Sequence, residues 1–78
     1  MRRHPRDWPR PGGHRVVYGR GDRPTARVPV AGEWVTCDVL LKTRDPSGTW
    51  WARVAYVHPG TYDYVEELLP LDRLRPSG

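Results

Sequence analysis

Two runs of alternating apolar residues, joined by a turn-forming segment, restrict the fold of this chain more than any other feature. The first run, EWVTCDVLLKT, spans residues 33–43 and has the two-residue period of a β-strand. The segment RDPSGT that follows has the composition of a tight turn, and the return strand runs from Trp50 to Val57. Together these patterns predict a β-hairpin. The predicted inward residues of the first strand are Val35, Cys37, Val39 and Leu41, with Leu40 as an apolar exception on the other face.

A third strand is predicted after this hairpin. Beyond the turn signal at Pro59 and Gly60, residues 62–69 have strand-forming composition, although EELL within them can also begin a helical turn. Pro70 ends this strand because proline cannot donate to the ladder, and residues 71–74 are long enough for one helical turn. The pattern predicts an all-β fold, either a small antiparallel barrel or a strongly bent sheet, with a short helical turn near the C-terminus.

Part of the chain resembles Src-homology-3-like (SH3-like) and Tudor-like barrels. The residues that carry this resemblance are GTWWARV, the turn and strand after it, and LLPLDRL, all within residues 34–75. Those families often have an aromatic pair, a small residue and a basic residue on one central strand, and a proline before a single helical turn. The resemblance implies a small SH3-like β domain. The chain also resembles small actinobacterial proteins that carry W-V-x-x-D-V-L-L followed by W-W-A-x-V, and this second resemblance implies no activity.

Charge and composition divide the chain near Val28. Residues 1–27 carry eight arginines against two aspartates, a net charge of +6, and contain four prolines and four glycines. A segment with so little apolar surface is predicted to be a mostly disordered basic arm, in which only Val16, Val17 and Tyr18 are expected to add a short strand. Residues 28–78 carry five basic residues against seven acidic ones, a net charge of −2, and are predicted to form the folded domain.

The adjacent tryptophans of the return strand must point to opposite faces of the sheet. Arg53 is not expected inside a core without a partner, so Trp51 and Arg53 are assigned to the outer face and Trp50 to the core. Two interpretations of Trp51 stay open: it packs over the edge of the fold, beneath the arm or a loop, or it forms a platform for a peptide, a base or a cation. The predicted partner-binding residues are Trp34, Trp51, Arg53 and Leu40.

Residues with catalytic or metal-binding chemistry are few and scattered. Cys37 is the single cysteine, and its place in the apolar period favours a small core residue over a nucleophile. The three histidines lack the spacing of metal ligands. Tyr56, Tyr62 and Tyr64 raise the alternative of an aromatic cage for a methylated ammonium group, against packing of the rings on the sheet. We therefore predict a non-enzymatic protein with no cofactor and no metal.

Three functions stay open. The favoured one is a protein-interaction module that binds a protein partner, or a second copy of itself as a homodimer, through the exposed Trp/Arg surface. The alternative is nucleic-acid binding, in which arginines of the arm contact phosphates. The net negative charge of residues 28–78 favours the first over the second. An accessory protein that steadies a larger enzyme has no separate signature. The candidate nucleic-acid contacts are Arg2, Arg3, Arg6, Arg10, Arg15 and Arg20.

Location and source are predicted from composition. No apolar run has the roughly 20 residues that a membrane helix needs, and no apolar segment follows the basic N-terminus, so a cytoplasmic protein without a membrane partner is expected. All basic residues except Lys42 are arginines. This bias is typical of GC-rich genomes and favours an actinobacterial source.

Overall fold

The computed structural model describes residues 14–77, which form six β-strands and two single-turn 3₁₀-helices. No α-helix occurs among these residues, so the all-β prediction is confirmed. The strands are β1 (His14–Val17), β2 (Thr25–Val30), β3 (Glu33–Arg44), β4 (Trp50–Val57), β5 (Tyr64–Pro70) and β6 (Arg75–Pro76). The 3₁₀-helices are η1 (Arg20–Asp22) and η2 (Leu71–Arg73).

The strands form one antiparallel sheet in the order β5-β4-β3-β2-β6. The long strand β3 pairs with β2 along its first half and with β1 along residues 41–44. Within the described residues, β5 and the two-residue strand β6 lie at opposite edges and the sheet does not close. Of the two predicted forms, the closed barrel is therefore not the one observed.

Positive backbone dihedrals define the tight turns between the strands. Ala31 and Gly32 connect β2 to β3 with φ values of 50° and 83°, as in the two-residue turns that match the twist of antiparallel strands. In the turn between β3 and β4, Gly48 has a φ of 89°, and the Asp45 amide donates to the Thr49 carbonyl at 3.0 Å. The turn predicted from RDPSGT is therefore the connection that sets the β3–β4 register.

One face of the sheet forms the core, and the other is called the outward face below. Strand β2 alternates strictly between exposed and buried residues, which is the pattern of a half-buried strand. The buried core cluster consists of Ala26, Val28, Val30, Cys37, Val39, Ala52, Val54 and Tyr56. The outward face carries the intervening residues, among them Arg27, Trp34, Asp38, Arg53, Ala55 and Tyr64.

A β-bulge at Leu40 changes which residues of β3 face the core. Val39 pairs with Val54, but the next pair joins Leu41 to Arg53, so Leu40 is an extra residue. Neighbouring residues of β4 point to opposite faces, and so do their partners. Leu41 therefore lies on the outward face, where it is buried, instead of in the core as predicted. The alternation of apolar residues continues through Leu41, so the sequence pattern did not reveal the bulge.

The sheet begins earlier in the chain than the predicted boundary. Strand β1, η1 and the first three residues of β2 lie within residues 14–27, and Ala26 belongs to the core. The boundary at Val28 falls inside β2, because the arginine and proline of TARVPV gave this segment the composition of the arm. Pro29 fits in the strand since β6 pairs only with Ala26 and Arg27, which leaves β2 as an edge beyond them. Residues 1–13 lie outside the described part of the chain.

Candidate functional site

Strand β4 sends the two adjacent tryptophans to opposite faces, as predicted. On the inward face, Ala52 and Val54 are fully buried, whereas Trp50 is half-buried opposite Arg44, at the end of the hairpin. On the outward face, Trp51 is half-buried opposite Thr43. The centre of the core is therefore formed by the small residues of β4 and not by Trp50.

Trp51 is held by the turn that precedes its strand. Its Nε1 donates to Asp45 Oδ2 at 2.9 Å, and the other carboxylate oxygen accepts the amides of Ser47 and Thr49, each at 3.0 Å. The Ser47 hydroxyl donates to the same oxygen at 2.6 Å. Hydrogen bonds from Ser47 and from the Trp51 indole lower the pKa of the Asp45 carboxyl group. These contacts favour a structural role for Trp51 over that of a free platform.

Arg53 is also engaged within the sheet. Its Nη2 lies 2.5 Å from Glu66 Oε1, and Glu66 accepts a hydrogen bond of 3.1 Å from the Tyr64 hydroxyl. Burial and this hydrogen bond raise the pKa of Tyr64. The ion pair occupies the guanidinium group that was predicted to bind a partner.

Trp34 has a different environment, because it is exposed and an arginine side chain lies over its ring. The side chain is 43% exposed, and Arg75 Cζ lies 4.1 Å from the centroid of the indole ring. This is the geometry of a cation–π contact. Trp34 pairs with Pro29 of β2, and strand β6 places Arg75 opposite Arg27.

The β3–β4 register does not bring Trp34 beside Trp51. Trp51 pairs with Thr43, which lies nine residues beyond Trp34 on the same strand. At about 3.3 Å per residue, this is a separation of roughly 30 Å along the sheet. The residues predicted to form one patch are therefore spread along the sheet. Trp34 lies alone at one end of the sheet, far from Trp51.

The remaining predicted site residues do not join Trp34 either. Leu40 is the half-buried bulge residue, and its carbonyl accepts the Tyr18 amide at 3.1 Å. Arg15 in β1 is exposed opposite Thr43, and Arg20 is exposed in η1. The other candidate nucleic-acid contacts, Arg2, Arg3, Arg6 and Arg10, lie outside the described residues.

Two arginines that sequence analysis did not select lie next to Trp34. Arg27 is exposed on the outward face of β2, opposite Thr36 on one side and Arg75 on the other. The alternation in TARVPV was the signal that could have placed Arg27 outward. The position of Arg75 depends on the pairing of β6 with β2, which joins segments that are distant in sequence and leaves no local pattern.

Other groups with reactive chemistry have structural environments. Tyr56 is buried, and its hydroxyl donates to Glu67; burial and this hydrogen bond raise the pKa of Tyr56 to about 12. Burial likewise raises the pKa of the Cys37 thiol. Tyr56 and Tyr64 face opposite sides of the sheet, so their register does not form an aromatic cage. Among residues 14–77, no three His, Cys, Asp or Glu side chains lie close enough together to hold a metal ion.

Comparison with protein-family models, curated proteins and solved structures finds no match. Within the described part of the chain, no helix has the length and apolar character required to cross a membrane.

Proposed function

We propose that this protein is a small non-enzymatic binding module that docks a partner on the outward face around Trp34. The observation that carries the proposal is the exposed indole of Trp34 with Arg75 stacked on it at 4.1 Å. Large aromatic rings and arginines are the side chains that contribute most to binding energy at interfaces. A sheet surface that already orders both groups loses little conformational entropy when a partner binds.

The contrast between the two outward tryptophans supports this location. The polar edge of Trp51 is satisfied by Asp45, and Arg53 beside it is paired with Glu66. Arg27 and Arg75 have no carboxylate within ion-pairing distance among the described residues. The polar groups near Trp51 are therefore engaged in contacts within the chain, whereas the arginines near Trp34 are available to a partner.

We also propose that the domain is SH3-like. Pro70 ends β5, η2 follows directly, and β6 returns to pair with β2. This arrangement agrees with the resemblance carried by GTWWARV and LLPLDRL. The likeness lies in the order of the strands and in the position of the 3₁₀ turn, since the sheet itself is open.

A cytoplasmic location belongs to the same proposal. Cys37 is an unpaired thiol buried in the core, and an unpaired cysteine suits a reducing compartment. The partner is then a macromolecule or a second copy of this chain in that compartment.

Affinity capture with the tagged full chain tests the proposed binding function. Wild type, Trp34→Ala and the matched control Trp51→Phe are compared in lysate of the source organism, with and without nuclease, and sedimentation velocity detects self-association. We expect Trp34→Ala to lose the partner or the dimer while Trp51→Phe retains it. Near-UV circular dichroism establishes that each variant is folded. Equal retention by folded Trp34→Ala would contradict the proposal, and selective loss in Trp51→Phe would move the site to the other end of the sheet.

A further inference from the structure

Strand register places a row of arginine and aromatic side chains across the outward face. Arg75 of β6 lies opposite Arg27 of β2, which lies opposite Thr36 of β3, two residues from Trp34 on the same face. At the other side of the sheet, Tyr64 of β5 pairs with Val57 of β4 and is 65% exposed. The outward face therefore presents cationic groups at one side and accessible rings on β3 and β5. Its carboxylates, Asp38 and Glu66, lie in the neighbouring row, where Glu66 pairs with Arg53 and accepts the Tyr64 hydroxyl.

The charges in this row are complementary to an anion. Like charges directly opposite one another on neighbouring strands destabilise a sheet, and Arg27 and Arg75 are such a pair. In the part of the chain that the structure describes, neither has a carboxylate within 4.0 Å. An anion that contacts both side chains would offset the repulsion between them. The guanidinium group of Arg75 lies over the Trp34 ring, and its N–H groups have no carboxylate partner among the described residues, so they can donate to phosphate oxygens.

The rings determine which polyanion fits best. Arg75 lies against the Trp34 ring, and Trp34 is still 43% exposed, so part of its surface is accessible to a further flat group. Tyr64 offers a second ring on the same face, two strands away and about 10 Å across the sheet. Exposed rings on a sheet stack on bases that are not already stacked in a duplex. Arginines without carboxylate partners beside such rings match a single strand better than a double helix.

We propose, building on the binding function above, that the outward face binds single-stranded nucleic acid. Arg27 and Arg75 hold a phosphate group, Trp34 stacks on an adjacent base, and Tyr64 receives a base farther along the strand. This site lies in the folded sheet and differs from the basic arm predicted from sequence. An acidic protein segment and a second copy of this chain are the competing occupants.

Fluorescence anisotropy with a labelled 12-nucleotide single strand, as DNA and as RNA, and with the matching duplex, tests this site in the full chain. Trp34→Ala and Arg75→Gln are the site variants. Arg15→Gln is the matched control, since it removes the same charge from an exposed arginine opposite Thr43, at the far end of the outward face. We expect Trp34→Ala to weaken binding of at least one single strand by about tenfold. Arg75→Gln is expected to weaken it by about fivefold or more, and Arg15→Gln by less than about twofold.

Three results would overturn the inference: no saturable binding of either single strand, equal losses in Arg75→Gln and Arg15→Gln, or preference for the duplex. Equal losses would assign the binding to general electrostatic attraction. The capture experiment with nuclease distinguishes this failure from failure of the proposed function. If Trp34→Ala loses a protein partner or dimer that resists nuclease, the proposed binding function stands. The nucleic-acid ligand is then refuted. If Trp34→Ala affects neither assay, both proposals fail. Should Trp34→Ala prove unfolded, Arg27→Gln with Arg75→Gln tests the same contacts without changing the ring.

Discussion

Trp51 and Trp34 both point outward, but their side chains meet different neighbours. The Trp51 indole donates its N–H to Asp45 and so belongs to the β3–β4 turn. The Trp34 ring receives the guanidinium group of Arg75 and stays exposed. A fixed carboxylate six positions earlier in sequence separates the structural Trp51 from Trp34, which is available for binding.

The Asp45 carboxylate should make the stability of the turn depend on pH. Its pKa is lowered in the folded state, so its contribution is present above the unfolded-state pKa near 4 and is lost as pH falls through the folded-state pKa. We expect Asp45→Asn to lower the melting temperature at pH 7, with a difference from wild type that shrinks below about pH 4. Thermal melts followed by Trp fluorescence across this range measure the difference. A gap that stays constant down to pH 2 would contradict the assignment.

Tyr56 should ionise at a higher pH than an ordinary exposed tyrosine. Its pKa is raised to about 12 by burial and by the hydrogen bond to Glu67, compared with about 10 for a free tyrosine. A raised pKa means that the stabilising contribution is complete below about pH 10 and is lost as pH rises through about 12. Absorbance at 295 nm should show one phenol that ionises near pH 12, and this step should be absent in Tyr56→Phe. Ionisation of all four tyrosines near pH 10 would refute this environment.

Strand β2 connects the core to the candidate site. Its inward residues are buried, while Arg27 and Pro29 point to the outward face. Substitutions on its two faces should therefore have different effects. Val28 is 1% exposed, and Val28→Ala should lower the free energy of unfolding by about 2 kcal/mol, the value of burying such a side chain. Arg27→Gln, at an exposed outward position of the same strand, should change it by less than about 0.5 kcal/mol. Urea denaturation compares the variants, and equal effects would show that β2 is not packed as described.

Much of this fold was predictable from sequence, but the candidate site was not. Alternation and turn composition located β3, β4 and β5, because a half-exposed strand needs polar and apolar residues in turn. The pattern failed at β2, where Pro29 and Arg27 occupy outward positions, and at Leu40, because a bulge adds a residue without disturbing the apolar alternation. The Trp34–Arg75 stack depends on β2–β6 pairing between distant segments, which no local period records.

The positions of the charged side chains determine the character of the outward face more than the net charge of the domain does. Residues 14–77 carry nine basic and eight acidic side chains, so the described part of the chain is almost neutral. The pairing of β6 with β2 nevertheless places Arg27 opposite Arg75, without a carboxylate partner in the described region. A nearly neutral domain can therefore present a cationic surface.

The salt dependence of binding should report these two arginines. For single strands, the slope of log affinity against log salt changes by about 0.7 for each neutralised phosphate. Combining Arg27→Gln with Arg75→Gln should make the slope shallower by about 0.7 if the arginines share one phosphate, and by roughly 1.4 if each holds its own. Anisotropy titrations from 50 to 300 mM salt measure this difference. An unchanged slope would mean that neither arginine contacts a phosphate.

A ¹⁵N NMR titration of the full chain with the single strand, read at the indole N–H resonances, tests whether the strand binds at Trp34. The chain has four tryptophans, so each indole can be assigned by substitution and followed separately. The proposed site predicts that the Trp34 indole signal shifts with saturation while the Trp51 signal, held by Asp45, stays in place. A shift confined to Trp51 or to Trp8, with Trp34 unchanged, would contradict it.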